Sequence, residues 1–195
     1  MRTTATACLA IVLMSALNAS AQQSPAPQGA PSKQEPQTQL ESFLSSKGML
    51  LVKDFYELGK VAGIGSITID AVVITQPGQA DRKIRGLRIE VAESGRLERS
   101  DTSFLDMDEI ESLSKALAYM IELSGQWKGT EKQEYTEVQF ATKGDFAIGF
   151  YQKKKDQGAF VSSGRIGSVR AFIQVADFGK VKALVDQAAA LLQGK

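Results

Sequence analysis

The hydrophobic pattern of this chain alternates between a period of two residues and a period near 3.6, and it does so twice. Thr38 and Glu41 have the spacing of a capping box, which predicts a short helix that ends before Gly48. Period-two alternation then predicts four strands, with a turn at residues 76–79 and an end at Phe104. The first three strands are predicted over residues 49–58, 64–75 and 84–91.

The third predicted strand contains one break in its alternation. Leu87, Ile89 and Val91 share one face, whereas Ile84 falls out of phase across Gly86. An extra residue in one strand produces such a phase change, so the pattern predicts a β-bulge at Gly86.

A long helix is predicted next, because apolar residues recur at helical spacing between Asp106, a candidate N-cap, and Gly125. Strand character then resumes around a turn at residues 143–145. A second amphipathic helix is predicted after Asp177, with Gly194 at its end. The strand-like segments between the two helices are 138–140, 146–150, 159–163 and 166–175.

The order of predicted elements repeats, with four strands and a helix followed by four strands and a helix. We therefore predict an α+β fold of two ββββα repeats, residues 49–125 and 133–193, preceded by the short N-terminal helix. Each long helix has one apolar stripe, so each is expected to pack on an antiparallel sheet. Residues 38–195 are long enough for a single domain with its own core.

A duplicated ββββα unit resembles the Whirly-type fold, in which two such repeats pack as sheets with helices between them. DNA-binding members of that family carry a Lys-Gly-Lys-Ala-Ala-Leu motif in an early strand. The nearest string here, Gly-Lys-Val-Lys-Ala-Leu at residues 179–184, begins the last helix instead. Residues 103–110 are also similar to the strand-to-helix junction of uncharacterised exported bacterial proteins, a likeness that implies no activity.

The first 21 residues have the composition of a cleavable secretory signal peptide. Arg2 precedes an apolar run at residues 7–14, which is shorter than the roughly 20 residues that span a bilayer, and Ala19-Ser20-Ala21 forms a small-x-small cleavage site. We expect an exported protein, periplasmic or secreted, that begins near Gln22 and has no membrane span. A lipoprotein is the alternative, but only seven residues precede Cys8.

Residues 22–37 hold four of the five prolines and no large apolar side chain. Such a segment buries too little surface to offset the entropy of ordering, so we predict a disordered linker rich in Pro, Gln and Ser.

The composition excludes several classes of chemistry from the exported chain. Signal cleavage would remove Cys8, the only cysteine, and the chain has no histidine, which rules out disulfides, thiolate nucleophiles, serine–histidine triads and histidine-bound zinc. Loss of Arg2 leaves 22 basic residues against 22 acidic ones. This balance offers no electrostatic footprint for nucleic acid, and we predict no cofactor.

Acidic residues gather at the predicted start of the first long helix, namely Asp106, Asp108, Glu109 and Glu111. Carboxylate oxygens suit Ca²⁺ or Mg²⁺, but the spacing and the glycine of a calcium loop are absent. Negative charge in a first helical turn also complements the helix dipole. We favour this capping role and predict no metal site.

Three short motifs have ordinary structural interpretations. Ser112-x-x-Lys115 matches the nucleophile motif of serine penicillin-recognising enzymes, but we predict an exposed helix surface there. Gly63-x-Gly65 lacks the third glycine of a phosphate loop and predicts a hairpin connection. The lysines at residues 153–155 are interpreted as a charged hairpin tip, not as a contact with phosphate or an anionic membrane.

Three aromatic residues are the candidate ligand contacts. Trp127 follows the predicted helix, and Tyr119 and Tyr135 flank it in the sequence. Aromatic rings combine a large apolar surface with a polar group, which suits binding, although they also cover the edges of cores. We predict no catalytic residue.

These observations favour a non-enzymatic binding or assembly module of the bacterial envelope, which uses a sheet face or edge to engage a protein, a glycan or its own copies. The first alternative is a periplasmic hydrolase that relies on paired carboxylates, such as Asp106 with Asp108 or Asp70 with Glu90. The second alternative, implied only by the Whirly-type resemblance, is binding of single-stranded nucleic acid. The displaced motif and the balanced charge argue against it.

Overall fold

The computed structural model describes residues 38–195, apart from residue 97 and the side chains of residues 80 and 81. The predicted signal peptide and linker, residues 1–37, lie outside the described residues. The α-helices of the described chain are α1 (Gln39–Ser45), α2 (Met107–Trp127) and α3 (Phe178–Gln193), and a single 3₁₀ turn at Val175–Asp177 precedes α3. Its strands are β1 (Val52–Gly63), β2 (Gly65–Gln76), β3 (Gln79–Ala92), β4 (Ser100–Asp106), β5 (Lys132–Ala141), β6 (Phe146–Lys154), β7 (Asp156–Ser163) and β8 (Val169–Ile173).

The strands form two four-stranded antiparallel sheets, in the orders β1-β2-β3-β4 and β5-β6-β7-β8. Each sheet is a meander whose neighbouring strands are also neighbours in the sequence, and each is followed by one long helix. The predicted α+β fold of two ββββα repeats with a short N-terminal helix is therefore confirmed. Within residues 38–195, no helix combines the length and the hydropathy that crossing a bilayer requires.

Both sheets share one hydrophobic core with α2 and α3. Because side chains alternate between the two faces of a strand, each strand contributes one phase of its alternation to this core. Its fully buried members include Ile67, Ile69, Leu87 and Ile89 from the first sheet, Phe146, Ile148 and Phe150 from the second, Leu113 and Leu117 from α2, and Val181 and Val185 from α3.

The predicted bulge at Gly86 is wrong. Strands β2 and β3 pair without a register shift at Gly86. The register shifts of the first sheet lie elsewhere, between Glu57 and Gly59 in β1 and between Thr75 and Gln76 at the end of β2. Ile84 is out of phase because it faces the opposite side of the sheet. There it packs on a second, smaller cluster made of Leu40, Phe43, Val72 and Ile74.

Helix α1 begins with the predicted capping box. The Glu41 amide donates to Thr38 Oγ1 at 3.0 Å, and the Thr38 amide donates to the Glu41 carboxylate at 3.2 Å. Leu40 and Phe43 are the buried residues of this helix, and they pack α1 on the outer face of the first sheet.

Asp106 stands at the N-cap position of α2, as predicted, but its side chain makes no capping bond to that helix. Its carboxylate accepts hydrogen bonds from the amides of Gln39 at 2.7 Å and Leu40 at 3.1 Å. Asp106 therefore caps α1, whose free amides approach it from a distant part of the chain.

Two further helix ends differ from the prediction. Helix α2 continues past Gly125, and Trp127, predicted to lie just beyond the helix, is its last residue. Asp177 precedes α3 but makes no capping bond to it. The Asp177 carboxylate instead accepts hydrogen bonds from the Gln174 amide at 3.2 Å and from Lys180 Nζ at 2.8 Å.

Candidate binding site

The three predicted aromatic residues do not converge on one site. Trp127 packs on the ring of Phe150, with 5.3 Å between centroids, and Lys132 Nζ lies 4.0 Å from the centroid of Trp127. Tyr119 is exposed on α2 and, among the described aromatic side chains, contacts no other ring. Trp127 therefore covers an edge of the core. Of the three residues, only Tyr135 is part of a larger aromatic surface.

Tyr135 of β5 stacks on Tyr151 of β6, with 5.4 Å between ring centroids and 26° between ring planes. The Tyr135 hydroxyl donates a hydrogen bond to the carboxylate of Glu137, and this bond raises the pKa of Tyr135. Tyr151 follows the core residue Phe150, so it points away from the core. The stacked pair therefore lies on the outer face of the second sheet.

The ring of Tyr151 also borders an open pocket of about 410 Å³ on that face. Phe172 of β8 and Ile64, at the tip of the β1–β2 hairpin, line the same pocket. Both residues are exposed, with exposed fractions of 41% for Phe172 and 67% for Ile64. We call Tyr135, Tyr151, Phe172 and Ile64 the aromatic face.

Two glycines allow this surface to form. A Cβ on Gly158 would lie 2.5 Å from the ring of Tyr151, so glycine lets that ring approach the backbone of β7 closely. A Cβ on Gly63 would lie 2.1 Å from the backbone oxygen of Phe172, so glycine lets the hairpin tip approach β8. The predicted hairpin connection at Gly63-x-Gly65 is thus confirmed, and it forms one wall of the pocket.

Sequence reasoning missed Tyr151, Phe172 and Ile64. A signal was present for Phe172, because it stands between the core residues Ala171 and Ile173 in the phase that faces solvent. Ile64 carried no such signal, because its position against β8 depends on a contact between the two sheets.

A second cleft, of about 500 Å³, lies at the end of the first sheet and is lined by charged residues of both signs. Arg99 donates to the carboxylate of Glu93 at 2.5 and 3.0 Å, and this pairing lowers the pKa of Glu93. Lys60 and Glu90 also line the cleft. Compared with the aromatic face, this cleft offers little exposed apolar surface.

Neither of the carboxylate pairs considered for hydrolysis consists of two solvent-accessible carboxylates. Asp70 is 3% exposed and accepts hydrogen bonds from Arg88 Nε at 2.7 Å, with Arg88 Nη2 at 2.6 Å from the same oxygen. Asp106 is also buried and is occupied by the amides of α1. Of the second carboxylates, Glu90 is half-buried and Asp108 is exposed.

The acidic residues at the start of α2 form a compact group. Carboxylate oxygens of Asp106, Asp108 and Glu109 lie within 4.8 Å of one another, and we call these three residues the acidic cluster. Lys143, in the β5–β6 turn, places its Nζ 2.6 Å from Asp108 Oδ2, which lowers the pKa of Asp108. Glu111 lies outside the cluster.

The Ser112-x-x-Lys115 motif and the lysines at residues 153–155 are exposed on a helix and at a hairpin, as predicted. Ser112 is exposed on α2, and Lys115 Nζ lies 2.5 Å from Glu111 in a pair one helical turn apart. Lysines 153–155 are exposed at the β6–β7 hairpin, where Lys154 has a positive φ of 54°.

No protein-family model matches this chain, and comparison with curated proteins and with solved structures gives no significant match.

Proposed function

We propose that this chain is an exported, non-enzymatic binding module of the bacterial envelope and that the aromatic face contacts its partner. The proposal of export rests on the signal-like composition of residues 1–21. The observation that supports the binding surface most strongly is the position of Tyr151, Phe172 and Ile64 around one open pocket, with Tyr135 stacked beside it.

The exposure of these side chains supports binding more than core packing. Tyr135 is 53% exposed, Phe172 41% and Ile64 67%. Complete burial of a large apolar side chain stabilises a protein by about 1.5–3 kcal/mol, and the part that corresponds to the exposed fraction remains available to a partner that covers the face. Contiguous exposed apolar patches are typical of interaction sites in soluble domains.

The rigidity of the face also favours binding. Tyr151 stands on β6, paired with Glu137 of β5, and Ile64 is held by two backbone hydrogen bonds to Phe172, at 2.8 and 2.9 Å. A backbone that is already held by such hydrogen bonds loses little conformational freedom when a partner binds. The proposed site is therefore largely preformed.

The partner classes that fit are an envelope protein, a glycan or a second copy of the chain. Aromatic rings present flat apolar surfaces that stack on sugar rings or on apolar side chains, and their polar edges donate hydrogen bonds. Arg170 adds a positive charge to the same face, because it stands two residues before Phe172 on β8. Its guanidinium lies 5.1 Å from the ring centroid of Phe160 on the neighbouring strand.

The experiment is a comparison of three single variants, each immobilised and exposed to solubilised envelope protein and to envelope glycan. Phe172→Ala and Tyr135→Ala should reduce retention of the partner by about tenfold or more, as loss of a central aromatic contact usually does. Tyr119→Ala is the matched control, because Tyr119 is a similarly exposed tyrosine on α2, outside the face. Equal retention by all three variants and the unmodified protein would refute the assignment of the surface.

A further inference from the structure

The acidic cluster lies where three segments of the chain meet. Helix α2 begins there, the amides of α1 donate to Asp106, and the β5–β6 turn approaches through Lys143. One oxygen from each of its carboxylates lies within 4.8 Å of the other two. Three carboxylates at this separation repel one another unless positive charge or hydrogen-bond donors compensate them.

Glu109 is the member whose contacts are incomplete. It is 8% exposed, and its Oε1 accepts a hydrogen bond from the Lys143 amide at 2.8 Å. Its Oε2 is buried and has no hydrogen-bond partner among the described residues. Buried carboxylate oxygens normally have a donor, an ordered water or an ion as a partner. A helix-capping role accounts for Asp106 but leaves this oxygen unexplained.

We propose that the acidic cluster binds a hard divalent cation, Ca²⁺ or Mg²⁺, through Glu109 Oε2 and one oxygen each from Asp106 and Asp108. Each oxygen of Asp106 accepts one amide hydrogen bond, and a carboxylate oxygen has two acceptor positions, so Asp106 retains a free lone pair. Both ions prefer carboxylate oxygen, and water completes a coordination number of six or more.

The cation competes with Lys143. The Lys143 ammonium lies 2.6 Å from Asp108 Oδ2 and pairs with its charge. The Lys143 side chain is half exposed, so it moves into solvent without disturbing the core. A cation that binds Asp108 replaces this ammonium, and removal of the ammonium strengthens cation binding.

Isothermal titration calorimetry of the purified, metal-stripped protein with CaCl₂ and with MgCl₂ tests the proposal. We expect saturable binding of one ion, with a dissociation constant of about 10⁻⁴ to 10⁻³ M, the range of weak extracellular calcium modules. Lys143→Met should bind the ion about three- to tenfold more tightly. Glu109→Gln and Asp108→Asn should each weaken binding about tenfold or more.

Glu111→Gln is the matched control, because Glu111 lies on the same helix but pairs with Lys115 outside the cluster. Asp108 is 63% exposed, so Asp108→Asn tests the proposal even if Glu109→Gln fails to fold. The proposal is overturned if neither ion binds saturably to the unmodified protein or to Lys143→Met. It is also overturned if binding survives Glu109→Gln and Asp108→Asn, or if Glu111→Gln weakens it equally.

Discussion

The backbones of Ile64 and Phe172 exchange two hydrogen bonds, of 2.8 and 2.9 Å, and thereby join the hairpin tip of the first sheet to the edge strand of the second. This bridge places Ile64 beside the ring of Phe172 and forms one wall of the pocket on the aromatic face. The proposed binding surface therefore belongs to neither repeat alone. Its shape depends on how the two sheets meet.

Substitution of Gly63 should disturb this bridge. The new methyl group of Gly63→Ala would lie 2.1 Å from the Phe172 oxygen, so the hairpin tip must move away from β8. Such overpacking costs about 1–3 kcal/mol. Urea unfolding should show this loss for Gly63→Ala, whereas Gly95→Ala, with open space around the new methyl, should change the free energy of unfolding little. Equal stability of the two variants would contradict the bridge.

Removal of the Asp106 carboxylate should destabilise helix α1. Two amides of α1 would lose a charged acceptor, at a cost of about 2–3 kcal/mol. Hydrogen exchange of Asp106→Ala should show faster exchange at residues 39–45, and urea unfolding should show the loss of stability. Asp108→Ala is the control, because Asp108 is exposed and makes no bond to α1. Unchanged exchange at 39–45 in Asp106→Ala would show that this capping contact is unimportant.

The pair formed by Asp70 and Arg88 should be structural. Arg88→Met leaves the buried Asp70 carboxylate without its partner, and we expect a loss of about 2–3 kcal/mol, reduced by the partial exposure of Arg88. The double variant Asp70→Asn with Arg88→Met should recover part of this loss, because no buried charge then remains. A double-mutant cycle measures the coupling, and strictly additive effects would contradict the pairing.

We expect the folded protein to lose stability in acid because of the contacts of Asp177. The hydrogen bond from Lys180 and that from the Gln174 amide hold the pKa of Asp177 below its ordinary value of 3.8. Because the folded pKa is the lower one, the stabilisation is complete above about pH 4 and is lost as the pH falls through the folded pKa. The free energy of unfolding of Asp177→Asn should therefore decrease less below about pH 4 than that of the unmodified protein. If the free energies of unfolding of Asp177→Asn and of the unmodified protein depended on pH in the same way, the prediction would be wrong.

The fold was predictable because its elements are encoded locally. The phase of Leu87, Ile89 and Val91 identifies a strand, and the spacing of Thr38 and Glu41 identifies the start of a helix. Ile84 was misinterpreted as evidence for a bulge because one sequence pattern cannot distinguish a phase change from a second buried face. That second face exists because α1 covers it.

The candidate site was less predictable because it depends on contacts between distant segments. Tyr135 was identified by its residue type, but its partner Tyr151 and the opposing Ile64 and Phe172 are brought together only by strand register and by the bridge between sheets. In the same way, Asp106 was assigned to the helix it precedes, whereas its amide partners lie 66 and 67 residues away. Local spacing carries no information on such pairs.

The most direct test of the binding proposal is native mass spectrometry of the protein isolated from the envelope of the cells that export it. We predict a defined oligomer or a retained partner mass for the unmodified protein and for Tyr119→Ala, and its loss from Phe172→Ala. A bare monomer in every sample, or an added mass that Phe172→Ala retains in full, would contradict the assignment of the aromatic face as the binding surface.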